Sequence, residues 1–297
     1  MPDPSIEWSD AEDGGKWLWD NYTRIRAVWA DLASWMRGTR ASGESEEEAQ
    51  EPGILILGPG GVGKSTFAKL MTDAVHPLAD MPVQYDESMD VESYTLEPPG
   101  DGGETEFVVL PGQQHRRADS WPELLRDVQD GRFRGAILFS AFGHHALGDV
   151  SYKDSALYAE HGRKKPAFLR AFLQKCRDDE LRVLSDLATH LKLCSRPVWM
   201  LSVVTKQDLW WNVRSAVEDH YQSGPYSAII DEVRNHRGAK SFRHEMVFAS
   251  LIIRRLMTGR GELLKNNVAG YDQEYQLRSL WQLAVTIDAL RQWEQGK

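Results

Sequence analysis

The chain of 297 residues has only two cysteines, Cys176 and Cys194, and it lacks both a long apolar run and an excess of basic residues. Two cysteines at this spacing fit neither a disulfide framework nor a metal motif, so we expect a reducing compartment, the cytoplasm. No stretch approaches the roughly 18 consecutive apolar residues that a transmembrane helix needs. The formal charge of −9 and the pI near 5.5 argue against nucleic-acid binding, which needs a basic surface.

Hydrophobic periodicity predicts an amphipathic helix near the N-terminus, within residues 1–41. Its apolar side chains recur at steps of three and four along residues 16–38: Leu18, Tyr22, Ile25, Trp29, Leu32 and Met36. We expect this stripe to pack on the main domain or on a protein partner. Tryptophans also suit a membrane surface, but the charges of the segment nearly cancel, which disfavours peripheral membrane contact. The glutamate-rich residues 42–52 predict a flexible acidic linker.

Short apolar segments alternate with helix-like segments through the rest of the chain, residues 53–297. Strands are predicted at 54–57, 94–97, 107–110, 136–139, 199–204 and 246–249, and helices at 65–75, 121–129, 167–176, 180–193 and 276–294. Buried apolar strands separated by helices are typical of an α/β fold. The pattern therefore predicts a mostly parallel sheet with helices on both faces.

The most specific pattern is a glycine-rich loop that directly follows the first predicted strand and matches G-x-x-x-x-G-K-[ST] at every position. Its glycines let successive backbone N–H groups point at phosphate oxygens. We expect Lys64 to reach the β- and γ-phosphates and Ser65 to place its hydroxyl on Mg²⁺, at the positive N-terminal end of the next helix. The predicted phosphate-binding residues are Gly58, Pro59, Gly60, Gly61, Val62, Gly63, Lys64, Ser65 and Thr66.

A second pattern, Thr205-Lys206-Gln207-Asp208, follows the apolar strand at 199–204. A carboxylate at Asp208 can accept hydrogen bonds from guanine N1–H and from the guanine 2-amino group. Adenine lacks this pair of donors, so Asp208 is predicted to select guanine. The stem of Lys206 is expected to lie across the base. The alternative is that Asp208 only caps the helix that begins at Leu209.

Two further segments follow predicted strands. In Pro111-Gly112-Gln113, the Gly112 N–H can approach a γ-phosphate and Gln113 can orient an attacking water. Gln113 and Lys64 are therefore the predicted catalytic residues, and the alternative for this segment is an ordinary Pro-Gly turn. At the end of the strand at 246–249, Ala249 and Ser250 are expected to contact the base through backbone N–H groups.

Together these segments resemble the Ras-like and Arf-like small GTPases of the P-loop (TRAFAC) superfamily, with the motifs in family order over residues 53–297. In this resemblance, Pro111-Gly112-Gln113 looks like the end of the switch II motif D-x-x-G-Q. Thr205-Lys206-Gln207-Asp208 looks like the [NT]-K-x-D motif, and Ala249-Ser250 like the last base-contact motif. The resemblance implies a P-loop NTPase G domain with a six-stranded sheet, GTP/GDP and Mg²⁺ as ligands, and GTP hydrolysis that drives a conformational switch.

The sequence departs from the family at several places. Val109 stands where the family has the D-x-x-G aspartate that holds Mg²⁺ through a water, which puts the metal affinity in doubt. The switch I threonine has no clear equivalent: Ser88 is the candidate, beside Ser93, Thr95 and the acids Asp86 and Asp90. Lys64 and Asp208 are farther apart in sequence than in a minimal member, which indicates a helical insertion at about 144–195. This insertion or the N-terminal helix is expected to dock a protein effector.

The sequence also allows two other functions. The chain could be a nucleotide-binding interaction module with little or no hydrolysis, or an ATPase or small-molecule kinase that shares only the P-loop. Arg116 and Arg117 are expected at the surface of a helix start, with an arginine finger in cis as the alternative. His144 and His145 are expected in an exposed turn, and Arg163-Lys164-Lys165 on a solvated face.

Overall fold

The computed structural model describes residue 27 and residues 53–71, 91–96, 105–112 and 114–296. Of the predicted N-terminal helix it describes Ala27 alone, which is helical and exposed. The predicted acidic linker at 42–52 lies outside the described residues. So do Gln113 and the switch I candidates Asp86, Ser88 and Asp90.

Within the described residues, six strands form the central sheet. They are β1 (Gly53–Leu57), β2 (Glu92–Leu96), β3 (Thr105–Val109), β4 (Phe133–Ser140), β5 (Val198–Val204) and β6 (Phe242–Phe248). Their spatial order is β2-β3-β1-β4-β5-β6. All neighbours are parallel except β2 and β3, which pair antiparallel. The predicted α/β class with a mostly parallel six-stranded sheet is confirmed.

The strand order reverses at β1, because β3 lies on one side of β1 and β4 on the other. In open α/β sheets, ligands bind beyond the carboxyl ends of the strands at such a switch point. The glycine-rich loop begins at the carboxyl end of β1. The topology therefore places the most specific sequence motif where this class of fold binds its ligands.

Helices cover both faces of the sheet. They are α1 (Lys64–Met71), α2 (Gln114–Gln129), α3 (Ala156–Glu160), α4 (Lys165–Leu193), α5 (Gln207–Trp210), α6 (Arg214–Glu218), α7 (Pro225–Arg237) and α8 (Gln273–Glu294). The predicted helical runs 167–176 and 180–193 belong to the single helix α4, since no glycine or proline interrupts the sequence between them. None of the described helices is long and apolar enough to span a membrane.

Strand β1 shows why the apolar segments predict a sheet covered on both sides. Its side chains alternate between the two faces, as they do in every strand. Ile54 and Ile56 pack in one hydrophobic cluster with residues of α1 and α8. Leu55 and Leu57 pack in another cluster with residues of α2, α4 and α7. All four are fully buried, so a strand of this sheet needs apolar residues at every position.

A third hydrophobic cluster joins the predicted insertion to the segment around the base motif. It contains Tyr152, Phe168, Phe172, Cys176, Leu209, Leu256 and Leu264. The last two belong to a small antiparallel pair, β7 (Leu256–Met257) and β8 (Leu263–Lys265). Because Leu209 follows Asp208 directly, the insertion packs against the backbone that carries the predicted base-reading carboxylate.

Candidate functional site

The glycine-rich loop between β1 and α1 is shaped by three glycines with positive φ angles, and at two of them any side chain would clash. Gly58, Gly61 and Gly63 have φ angles of +141°, +68° and +109°. A Cβ on Gly58 would lie 2.3 Å from the Phe139 carbonyl oxygen, and one on Gly61 would lie 2.3 Å from the Ala146 Cβ. The loop is therefore held tightly against β4 and the segment after it, in a conformation that glycine adopts at little cost.

Lys64, at the start of α1, folds back over this loop. Its side chain is buried, and Nζ donates hydrogen bonds to the carbonyl oxygens of Gly58 (2.9 Å) and Pro59 (3.0 Å). Ser65 and Thr66 follow in the first helical turn and are partly buried. An ammonium group, two hydroxyls and a helix N-terminus at one place fit a polyphosphate.

The described residues offer few side chains that could coordinate the Mg²⁺ that accompanies a bound polyphosphate. No group of three or more His, Cys, Asp or Glu side chains able to hold a metal occurs among the residues that the structure describes. Val109, at the position of the family aspartate, is fully buried in the hydrophobic cluster of Ile56 and Phe67. The Ser65 hydroxyl fits Mg²⁺ whose other ligands are phosphate oxygens and waters, which is a common arrangement for this ion.

Gly112 runs directly alongside the loop. A Cβ on Gly112 would lie 2.5 Å from both the Gly60 nitrogen and Lys64 Nζ. The Gly112 carbonyl oxygen accepts hydrogen bonds from Arg117 Nε (3.0 Å) and Nη2 (2.8 Å). The neighbouring Pro111 carbonyl accepts one from Trp121 Nε1 at 3.1 Å. Helix α2 therefore fixes the Pro111-Gly112 segment next to Lys64, while Gln113 lies outside the described residues and its predicted role stays a prediction.

The expectation that Arg117 lies at the surface of a helix start is wrong. Its side chain is only 11% exposed and pairs with Asp179 of α4 through two hydrogen bonds of 2.9 and 2.6 Å. Its guanidinium also lies over the Trp121 ring, 5.1 Å from the centroid. Arg117 faces inward because the carbonyl of Gly112 and the carboxylate of Asp179 together offer acceptors that match its planar fork.

Thr205 connects the base motif to the phosphate loop. Its Oγ1 donates to the Val62 carbonyl at 2.5 Å and lies 3.0 Å from the Ser140 carbonyl at the end of β4. A Cβ on Gly63 would lie in contact with Leu251 and Thr205. The structure thus brings together the segments that follow β1, β4, β5 and β6, as expected from parallel strands that end at the same edge.

Asp208 lies in the first turn of α5 and is only 1% exposed. Its Oδ1 accepts a hydrogen bond from Ser250 Oγ (2.7 Å), and its Oδ2 accepts from the Arg254 backbone N–H (3.2 Å) and Asn267 Nδ2 (2.9 Å). Burial raises the pKa of Asp208, and the Ser250 and Arg254 hydrogen bonds partly oppose that rise. Lys206, not Asp208, occupies the cap position of α5, so the alternative of a simple helix cap does not describe this carboxylate.

The backbone N–H groups of Ala249 and Ser250, which are predicted to contact the base, bond to other groups of the protein. The Ala249 N–H donates to the Val204 carbonyl (3.0 Å), and the Ser250 N–H donates to Ser279 Oγ (3.0 Å). Both groups are therefore engaged inside the protein. The Ser250 hydroxyl is the group that faces the site, because it donates to Asp208. Its side chain orients the carboxylate that is predicted to read the base.

Comparisons with known proteins add little to this geometry. No family model and no curated protein matches the chain. Among solved structures, it is similar to an ADP-ribosylation factor-like GTP-binding protein, the small COPII coat GTPase SAR1 from Encephalitozoon cuniculi in complex with GDP. The identity is 13%, 95% of each chain is covered, and the TM-score is 0.37. A bacterial selenocysteine-specific elongation factor matches at 13% identity and TM-score 0.36, over 82% of this chain and 29% of its own. Similarities this weak carry no argument about function.

The segment after β4 contains two histidines, and the expectation that they form an exposed turn is wrong. His144 and His145 are 1% and 5% exposed. Burial and the nearby Lys265 lower the pKa of His144 well below its usual value, so this ring is neutral. The His144 carbonyl accepts a hydrogen bond of 2.5 Å from Lys206 Nζ. Segment 141–146 therefore contacts both motifs, the base motif through His144 and the phosphate loop through Ala146.

The sequence analysis did not single out Glu180, whose carboxylate bonds to three residues of segment 141–146. Its Oε1 accepts hydrogen bonds from the N–H groups of Ala141 (2.9 Å) and Gly143 (3.0 Å) and lies 2.8 Å from His145 Nε2. Its Oε2 accepts one from the Tyr221 hydroxyl at 2.6 Å. Burial raises the pKa of Glu180, but these hydrogen bonds outweigh it and the net pKa lies below its ordinary value. The available signal was an acid on the buried face of α4, four residues after Cys176 and before Leu184.

Proposed function

We propose that the chain is a GTP-binding protein that hydrolyses GTP to GDP with Mg²⁺ and uses the two nucleotide states to dock protein partners. One observation carries the proposal: Thr205 Oγ1 donates to the Val62 carbonyl at 2.5 Å, which joins the base motif to the phosphate loop. A polyphosphate at residues 58–65 and a purine at Asp208 would then belong to a single ligand. Guanine fits Asp208 because its edge offers two adjacent N–H donors.

The phosphate end would be held by the loop N–H groups and by Lys64, whose ammonium now bonds to the loop's own carbonyls. Ser65 would supply one ligand to Mg²⁺, which when bound neutralises charge on the phosphate oxygens. Gln113 is proposed to orient the attacking water. A γ-phosphate would lie beside the Lys64 ammonium. Gly112 borders the same space, because a Cβ on Gly112 would lie 2.5 Å from Lys64 Nζ. The triphosphate would therefore shift the Pro111-Gly112 segment, and this shift is the proposed switch.

The base assignment is tested with Asp208→Asn. We expect the wild-type chain to bind GDP at least about 100-fold more tightly than ADP, because a buried carboxylate rejects a base that lacks the matching donors. Asp208→Asn should weaken GDP binding and strengthen binding of xanthosine diphosphate, since an amide N–H can donate to the 2-carbonyl of xanthine. The measurement is a calorimetric titration of each nucleotide in the presence of Mg²⁺.

Asp219→Asn is the matched control, because Asp219 is exposed on the surface. It should leave all three affinities unchanged. Equal affinity of the wild-type chain for GDP and ADP, unchanged by Asp208→Asn, would instead support an ATPase or a kinase that shares only the P-loop.

A second candidate function is a nucleotide-binding interaction module with little hydrolysis. The burial of Val109 in an apolar cluster favours it, because no carboxylate can stand there to position the metal. In that case GTP affinity would be the same with Mg²⁺ and with EDTA, and a single-turnover assay would release no phosphate. The N-terminal helix within residues 1–41 and the insertion at about 144–195 are the proposed docking parts for either function.

A further inference from the structure

We propose that Asn267 is a further specificity-determining residue of the base site. Its amide occupies Oδ2 of Asp208 in the nucleotide-free protein and yields that oxygen to the 2-amino group of guanine. The inference rests on the proposed function, because it requires that guanine binds at Asp208.

The hydrogen bonds of the Asp208 carboxylate are distributed unequally between its two oxygens. Each carboxylate oxygen accepts about two hydrogen bonds. In the part of the chain that the structure describes, Oδ1 accepts one side-chain donor, Ser250 Oγ at 2.7 Å. Oδ2 accepts two donors, the Arg254 N–H at 3.2 Å and Asn267 Nδ2 at 2.9 Å. Among donors from other residues, Oδ2 therefore has one more than Oδ1, and a base donor that approaches Oδ2 must compete with them.

The order of groups along the guanine edge assigns its donors to these oxygens. The 6-carbonyl, N1–H and the 2-amino group follow one another in that order. Ser250 stands at the end of β6 and lies on the Oδ1 side of the carboxylate. The proposed orientation directs the 6-carbonyl toward this strand end, so that N1–H would meet Oδ1 and the 2-amino group would meet Oδ2. The 2-amino group then competes with the donors that Oδ2 already has.

Asn267 is the donor that can leave. Arg254 donates through its backbone, so its departure would require movement of the chain. The backbone beside Asn267 is anchored, because the Val268 N–H donates to the Asp208 carbonyl at 2.8 Å. Rotation of the partly buried Asn267 side chain is thus sufficient. With no base bound, the Asn267 amide donates to Asp208 Oδ2. This hydrogen bond satisfies an acceptor on a carboxylate whose residue is only 1% exposed.

The experiment compares Asn267→Ala with the wild-type chain for GDP and for inosine diphosphate, whose base has N1–H but no 2-amino group. Asn267→Ala removes the competitor, so GDP should bind about 3- to 10-fold more tightly. Inosine diphosphate leaves Asn267 on Oδ2 in both free and bound states, so its affinity should change less than about twofold. The ratio of the two affinities is a readout that a merely structural role would not move.

Asn266→Ala is the matched control, because Asn266 is the exposed neighbour of the same residue type. It should change neither affinity. Asn267→Ser, whose shorter side chain also vacates Oδ2, is the second variant if Asn267→Ala does not fold, as judged by its thermal unfolding transition. The same selective gain is expected for it.

The outcomes separate this inference from the proposed function. Normal GDP binding by the wild-type chain, with an unchanged or weaker GDP affinity in Asn267→Ala, would overturn this inference alone. An equal gain for inosine diphosphate would overturn it as well, because the competing donor would then be N1–H. Failure of the wild-type chain to bind any guanine nucleotide would overturn the proposed function and this inference with it.

Discussion

Lys206 shows how the site constrains a single residue. It adopts the left-handed conformation with φ of 58°, which few residues other than glycine adopt and which costs about 1–2 kcal/mol. Its Nζ donates to the His144 carbonyl, and burial lowers its pKa to about 8. Such strain persists only where the surrounding contacts determine the conformation. In this conformation the end of the Lys206 side chain contacts segment 141–146. That its stem lies across a base stays a prediction.

The lowered pKa of Lys206 predicts a pH dependence of stability. The folded chain releases this proton near pH 8, whereas an unfolded lysine keeps it to about pH 10.4. Between these values the unfolded state binds more protons, so the free energy of unfolding should rise with pH. The rise should reach at most about 3 kcal/mol, measured by urea unfolding. Lys206→Met should lack this rise and the exposed-site control Lys240→Met should keep it; parallel curves for all three would contradict the assignment.

An ion pair between Arg117 of α2 and Asp179 of α4 lies beside the phosphate loop. Arg117 and Asp179 have side chains 11% and 18% exposed, and Arg117 also bonds to the Gly112 carbonyl. A movement of Gly112 would therefore disturb a contact with α4. The same helix carries Glu180, which bonds to segment 141–146 after β4. Helices α2 and α4 are thus both linked to the Pro111-Gly112 segment, which is proposed to sense the γ-phosphate.

A double-mutant cycle with Arg117→Ala and Asp179→Ala tests this connection. We expect a coupling of about 1–3 kcal/mol in the free energy of unfolding, because the contact is bidentate and little exposed. The exposed pair Lys192–Glu232, at 2.8 Å with Glu232 66% exposed, serves as the control between α4 and α7 and should give less than about 1 kcal/mol. A coupling at Arg117–Asp179 no larger than the control value would show that the pair does not join the helices.

For the whole molecule, the site gathers segments from most of the sheet. The ends of β1, β4, β5 and β6 contribute residues 58–65, 141–146, 205–208 and 249–254. A ligand bound there contacts segments that are distant in sequence. It should therefore stabilise the folded chain as a unit rather than one region of it.

Guanine nucleotide should raise the thermal unfolding midpoint accordingly. At about 100 times its dissociation constant, GDP with Mg²⁺ should add about 2.7 kcal/mol, which corresponds to a shift of about 5 °C. ADP at the same concentration should shift the midpoint by less than about 1 °C, because that concentration does not exceed its expected dissociation constant. Lys64→Met should abolish the GDP shift, while Lys153→Met, at an exposed lysine, should retain it. A shift that persists in Lys64→Met would place the nucleotide elsewhere on the chain.

Much of this arrangement could be predicted because its signals are local. The P-loop pattern combines residue types with required spacings, and the strands were found from apolar runs that the two-sided burial of the sheet explains. Predictions failed where a side chain's surroundings come from distant segments. His144 and His145 look like a polar turn in the sequence, yet both are buried, His144 against Lys265 and His145 against Glu180. Arg117 looks like a surface residue until Asp179 of α4 is placed beside it.

The sequence by itself determined the α/β class, and it predicts the phosphate-loop residues and the acid expected to read the base. Each of these depends on side-chain type and spacing within about ten residues, where chain geometry is set by local sterics and hydrogen bonding. The tertiary structure alone decided what surrounds Asp208, Lys206 and Gly112. Asn267 and His144 reach Asp208 and Lys206, and Asp179 reaches the Arg117 side chain that bonds to Gly112, only through folding of the whole chain, because hydrogen bonds between distant segments leave no periodic pattern in the sequence.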